Sequence, residues 1–130
     1  MKNILLLPGL LVLAALTASA EQPPAAGHAS WYGEDHRGKL MANGKPFDPD
    51  KLTAASWFYP LGTKVQVILQ EETAALPPKS PHTVLVVITD RGPARRLVNQ
   101  GRIIDLSQAA FKELAAPELG LIPVEVRLVP

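Results

Sequence analysis

Apolar and polar residues alternate in several short stretches of this chain, and the helical period is sustained in only one place. His28-Ala29-Ser30-Trp31-Tyr32 alternates and is aromatic-rich, which predicts a strand. From Gly33 to about Leu52 the residues are rich in Asn, Gly, Pro and Asp, so that stretch reads as loops. Thr53-Ala54-Ala55 is a short extended piece, and Pro60-Leu61-Gly62-Thr63 turns the chain into an alternating strand, Lys64 to Leu69. Pro77, Pro78 and Pro81 mark another loop. Thr83 to Thr89 is mostly β-branched and apolar on both faces, the pattern of a central strand, and Asp90-Arg91-Gly92-Pro93 stops it. Ile103 to Leu106 is a short apolar crossing that runs into a helix from Gln108 to about Ala115. Either Asp105 or Ser107 can cap that helix, and Pro117 ends it. Val124, Val126 and Leu128 alternate with polar residues in a closing strand. Five or six short strands with one short helix inserted late, and no alternation of strand and helix, predict a mainly β protein built as a small barrel.

The first 20 residues do not belong to that pattern. Lys2, an apolar run from Ile4 to Leu16, and Ala18-Ser19-Ala20 have the layout of a cleavable signal peptide. A membrane anchor is the rival reading, but Ile4 to Ala20 is interrupted by Pro8-Gly9 and lacks basic residues on its far side. The organisation predicted is a signal peptide over 1–20, a linker over 21–27 containing Pro23-Pro24, and one domain over 28–130. Its expected location is the periplasm or the exterior, with no stable membrane anchor.

Charge and cysteine content narrow the chemistry. Without Lys2 the 12 remaining basic residues balance 12 acidic ones, and no basic run suits a phosphate backbone, so nucleic acid is not an expected partner. The chain has no cysteine, which excludes a disulfide framework, a thiol nucleophile and a lipid-accepting N-terminal cysteine. His28, His36 and His82 fall on loops or strand ends without paired spacing, so they read as solvated, and neither metal nor cofactor is expected. Trp31, Tyr32, Trp57, Phe58 and Tyr59 are five of the seven aromatics, and their default role is core. Gly62, Gly92 and Gly101 fall at turns suited to positive φ.

Six motifs occur in order between Ala29 and Val126. They are Ala29-Ser30-Trp31-Tyr32-Gly33, Ala42-Asn43-Gly44 followed by Phe47-Asp48, Thr53-Ala54-Ala55, Leu61-Gly62-Thr63, Asp90-Arg91-Gly92-Pro93, and Gly101-Arg102-Ile103-Ile104-Asp105-Leu106-Ser107. With them the sequence resembles the rare lipoprotein A (RlpA) group of septal lytic transglycosylases. That resemblance implies a six-stranded double-psi β-barrel acting on the glycan strands of peptidoglycan, with division-site proteins as possible partners. It implies Asp90 as the catalytic acid, with Asp105 as a second carboxylate or, in the structural reading, a helix cap. Tyr32 and Arg91 would shape the groove. Two positions depart from the group's pattern: Lys45 stands where Glu is usual, and Ser56 where His is usual. Both are assigned to the substrate-binding set, and the charge reversal at Lys45 and the missing imidazole at Ser56 favour a second reading, a non-catalytic glycan-binding module. The segment Gln70 to His82 is also longer than the group's hairpin and is expected to extend one wall of the groove.

Overall fold

The computed structural model describes residues 26–70 and 82–130. The expected signal peptide, nearly all of the linker and most of the Gln70–His82 segment lie outside the described residues.

Six strands close into one barrel: β1 (Ala26–Tyr32), β2 (Thr53–Ala55), β3 (Lys64–Leu69), β4 (Thr83–Asp90), β5 (Arg102–Ser107) and β6 (Ile122–Leu128). Around the barrel they run in the order β1-β5-β2-β4-β3-β6, with β6 returning to β1. Two pairs are parallel, β1 with β5 and β2 with β4, and the other four are antiparallel. Each parallel pair joins strands distant in sequence, and the intervening chain crosses over the barrel. These connections supply the loops and short helices around the site.

Strand alternation fills the interior. Ala29, Ala54, Val65, Val67, Val84, Val86, Ile88, Ile104, Leu106, Val124 and Val126 are buried, so alternate positions of every strand point inward. The small Ala29 and Ala54 sit beside the larger Ile104 and Leu106 in register. Phe111, Leu114 and Ile122 extend the same core toward the helix.

The pattern in the sequence located every strand, with three refinements. β1 starts at Ala26, earlier than His28, because Ala26 and Gly27 pair with Glu125 and Val124 of β6. β4 is central, lying between β2 and β3, but its outer face is not covered: Leu85 is 53% exposed. A helix not anticipated from sequence, α1 (Arg95–Val98), lies between β4 and β5. It is a single turn, too short to carry a periodic apolar stripe. The anticipated helix, α2 (Gln108–Lys112), is regular over five residues and is continued by turn bonds as far as Ala115.

Ser107, not Asp105, caps α2. The Ser107 hydroxyl accepts from the Ala110 N–H at 3.2 Å and donates to the Lys51 carbonyl at 2.5 Å. One buried side chain thereby starts the helix and ties β5 to the loop entering β2. Gly62 and Gly101 have φ of 92° and 94°, as their turns require.

Candidate active site

Because the interior takes the alternate positions, Ser30, Ala55 and Asp105 project from the outer side of adjacent strands. Asp105 pairs with Ser30 of β1 on one side and Ala55 of β2 on the other. A one-residue register shift between Ala54 and Ala55 then sets Ala55 opposite Asp90 of β4. Regular pairing would have put Thr89 there. The irregularity brings the two carboxylates to either side of a single alanine, where no side chain larger than a methyl separates them.

The two carboxyl groups have different surroundings. Asp90 is half-buried, and its Oδ1 accepts from the backbone N–H groups of Ala42 and Arg91, both at 2.8 Å. Among the described residues no donor reaches its Oδ2. Asp105 accepts from the Ser30 hydroxyl at 2.9 Å, and Arg102 donates to that hydroxyl at 2.7 Å. Burial holds the Asp105 carboxyl above the usual carboxylate range, and the neighbouring Asp90 charge adds to the effect. The Ser30 bond and the charges of Arg102 and His36 pull it partly back.

Tyr32 joins this pair to a cleft. Its ring stacks on Phe47 at 4.2 Å and meets His36 edge-on at 5.5 Å. Its hydroxyl is buried without a partner among the described residues. Desolvation raises the phenol's pKa, and the charges of Asp90 and Asp105 raise it further, so the hydroxyl stays protonated. Trp31, Tyr32, Gly33, His36 and Gln108 border an open cleft of about 420 Å³. A second cleft of about 400 Å³ is bordered by Asn43, Lys45, Lys51, Thr53 and Thr89. Neither carboxylate lines either cleft. Asp90 adjoins the second through Thr89 and through the Ala42 amide that it binds.

The remaining sequence-derived site residues fall into different roles. Arg91 turns away from the groove, donating from Nη1 to the carbonyls of Ser56 and Tyr59 at 2.7 and 2.6 Å. It holds the loop after β2 against the end of β4. Ser56 is fully buried, and its hydroxyl accepts from the Phe58 N–H, so it is not available to a ligand as the substrate-binding assignment required. Lys45 is exposed on the second cleft, apart from Tyr32.

Sequence reading passed over Ser30, Arg102 and His36, which set the environment of Asp105 and Tyr32. Ser30 and Arg102 lie within the recognised motifs, and that was the available signal. His36 became relevant only when the turn Glu34–His36 placed it against Tyr32. His82 is not solvated; it is buried. Tyr59 belongs to the core, Trp31 and Phe58 pack against it, and Trp57 is 37% exposed with Arg95 4.0 Å above its ring. Among the described residues, no group of three or more His, Cys, Asp or Glu could hold a metal ion, and no helix is long and apolar enough to cross a membrane.

Closed six-strand topology with two parallel pairs, β1 with β5 and β2 with β4, defines a double-psi β-barrel. The chain belongs to the family described as lytic transglycolase, which matches residues 24–126. It is 36% identical over 103 residues to the probable endolytic peptidoglycan transglycosylase RlpA of Aquifex aeolicus, covering 79% of this chain and 40% of that protein. Over 107 residues it is 35% identical to the endolytic peptidoglycan transglycosylase RlpA of Rickettsia felis, covering 80% and 42%. The corresponding protein of Vibrio cholerae is 32% identical over 104 residues, covering 80% and 35%. The chain thus spans roughly two fifths of the length of these relatives. Among solved structures, the Streptomyces papain inhibitor superposes with a TM-score of 0.57 at 25% identity, covering 81% of this chain and 93% of that one.

Proposed function

We propose that this barrel is an endolytic peptidoglycan lytic transglycosylase, cleaving the β-1,4 bond from N-acetylmuramic acid to N-acetylglucosamine. The observation that carries the reading is the register of Asp90 and Asp105 about Ala55, in motifs of a family whose relatives bear that activity in their names.

The proposed chemistry needs one group that gives and then takes a proton. Asp90 faces the glycosidic oxygen with Oδ2 and protonates it as the C1–O4 bond breaks. The C6 hydroxyl of the same muramic residue attacks C1, and its proton returns to Asp90. Bond formation between O6 and C1 yields the 1,6-anhydro end without water. The attack is intramolecular, so the protein's task is to hold the sugar in the reactive conformation. Burial, with the Asp90 charge adding to it, raises the Asp105 carboxyl above its ordinary range beside the reacting sugar. Tyr32, stacked on Phe47, borders the first cleft and offers its ring to the sugar there. Export through cleavage after Ala20, and work in wall remodelling with division-site proteins, complete the proposal.

Purified protein incubated with peptide-stripped glycan strands is expected to release 1,6-anhydro-muramic products detectable by mass spectrometry. No anhydro product, or undiminished product from Asp90→Asn, removes the assignment. One observation favours a second reading, a non-catalytic wall-binding module: Ser56, standing where the family pattern has His, is fully buried and accepts from the Phe58 N–H. Sedimentation with insoluble peptidoglycan and no soluble product is its signature.

A further inference from the structure

The cleft beside Asp90 has a charge that the proposed reaction does not use. The chain from Met41 to Gly44 forms a tight turn, closed by the Gly44 N–H donating to the Met41 carbonyl, and Met41 donates to the Lys45 carbonyl. Two bonds fasten this turn to the end of β4. Ala42 donates to Asp90 Oδ1, and Asn43 donates to the Thr89 carbonyl. The turn therefore carries Lys45 on a fixed backbone next to the carboxylate.

Lys45 and Lys51 border the same cleft. Among the described residues, neither ammonium has a carboxylate within 4 Å. Asp48, the acid on that cleft, is already engaged: Arg37 lies 3.5 Å from its Oδ1, which also accepts from the Asp50 N–H. Arg37 in turn binds Glu34 and Asp50, so a single guanidinium is shared among three carboxylates and holds Asp48 toward itself rather than toward the lysines. Two ammoniums that make no ion pair, on one concave wall, repel each other and attract an anion. Thr89 is 9% exposed, and the hydroxyls of Thr89 and Thr53, both buried behind the cleft's wall, have no partner among the described residues.

We infer that the cleft bordered by Lys45 and Lys51 is a carboxylate-binding subsite, adjoining the point of cleavage. This rests on the peptidoglycan reading, which supplies a ligand with carboxylates one sugar substituent away from the scissile bond. Two sources share that chemistry: the lactyl carboxylate of a muramic residue without a peptide, and the carboxylate of a residue attached to it. Either is held by paired ammoniums while the sugar ring lies at Asp90. Lys45, where the family pattern carries an acid, thus exchanges repulsion of an anionic substituent for attraction.

Amide-detected NMR titration of the full chain tests this with three probes. N-acetylmuramic acid carries the lactyl carboxylate, N-acetylmuramoyl-L-alanine carries its carboxylate one residue farther out, and N-acetylglucosamine carries none. The acidic probes are expected to shift the Asn43 and Lys45 amides, and the stronger of the two identifies the source. Lys45→Glu and Lys51→Gln should each weaken them about tenfold or more, while Lys45→Arg retains binding. Both lysines are exposed, and amide dispersion reports whether each variant is folded. Equal binding of all three probes, or unchanged affinity in Lys45→Glu, overturns the subsite. Sedimentation with insoluble peptidoglycan separates the two ideas: wild-type protein that sediments without lysine-dependent probe binding fails the subsite alone, whereas protein that does not sediment fails the glycan reading.

Discussion

Asp90 and Asp105 lie on different strands yet face the same residue, Ala55, because the chain slips by one position between Ala54 and Ala55. The slip costs one regular pairing and sets two carboxylates in a common electrostatic field that also reaches Tyr32.

Asp90→Asn keeps an oxygen that can accept from Ala42 and Arg91, so the fold is expected to survive. Release of anhydro product should fall by about 100-fold or more, the usual contribution of a general acid. Thermal melting of the variant alongside its product yield separates loss of chemistry from loss of structure.

Asp105→Asn removes a group whose carboxyl is held above its ordinary value of 3.8. A raised carboxyl favours the folded state most while protonated, below the unfolded value, and that advantage is lost as pH rises through the folded one. The wild type should therefore lose stability relative to the variant between about pH 3 and neutrality. Melting temperatures of both across that range check the sign; a constant gap contradicts it.

Replacing Ser107 by Ala strips the cap from α2, frees the Ala110 N–H and leaves the Lys51 carbonyl with only the Thr53 N–H. A cost of about 1–2 kcal/mol is expected. For a domain of this size that is a fall of roughly 4–16 °C in Tm, readable by calorimetry.

Arg91→Lys preserves charge but not the planar donor that reaches both Ser56 and Tyr59. Expected destabilisation is about 1.5–3 kcal/mol, with reduced activity as the loop beside Asp90 loosens. Arg96→Ala, at an exposed position on α1, serves as the control and should stay within about 0.5 kcal/mol of wild type in denaturant unfolding.

Tyr32→Phe deletes a hydroxyl that is buried with no partner among the described residues and leaves the stack on Phe47 in place. Stability should be unchanged or slightly higher, since an unsatisfied buried hydroxyl is a cost. Lower affinity for glycan fragments in this variant would show that the hydroxyl is kept for ligand; unchanged affinity would reduce Tyr32 to packing.

Much of this protein was legible in one dimension. Alternation at Lys64–Leu69 and Ile122–Leu128 gave strands because a barrel wall buries every second residue, and the β-branched run ending at Asp90 gave the strand beside the site. Motif order was enough to anticipate the double-psi barrel and to single out Asp90, Asp105 and Tyr32. Tertiary structure decided the rest, for reasons that no periodicity carries. Ser107 rather than Asp105 caps the helix because it directly precedes Gln108, while the Asp105 carboxylate is held back in the ladder by the Ser30 hydroxyl of a strand 75 residues away in sequence. The inward position of Ser56 and the separation of Lys45 from Tyr32 depend on loop paths between strands that are neighbours in space but not in sequence. The register slip at Ala55, which sets the carboxylates together, leaves no mark in composition, because it is fixed by closure of the barrel.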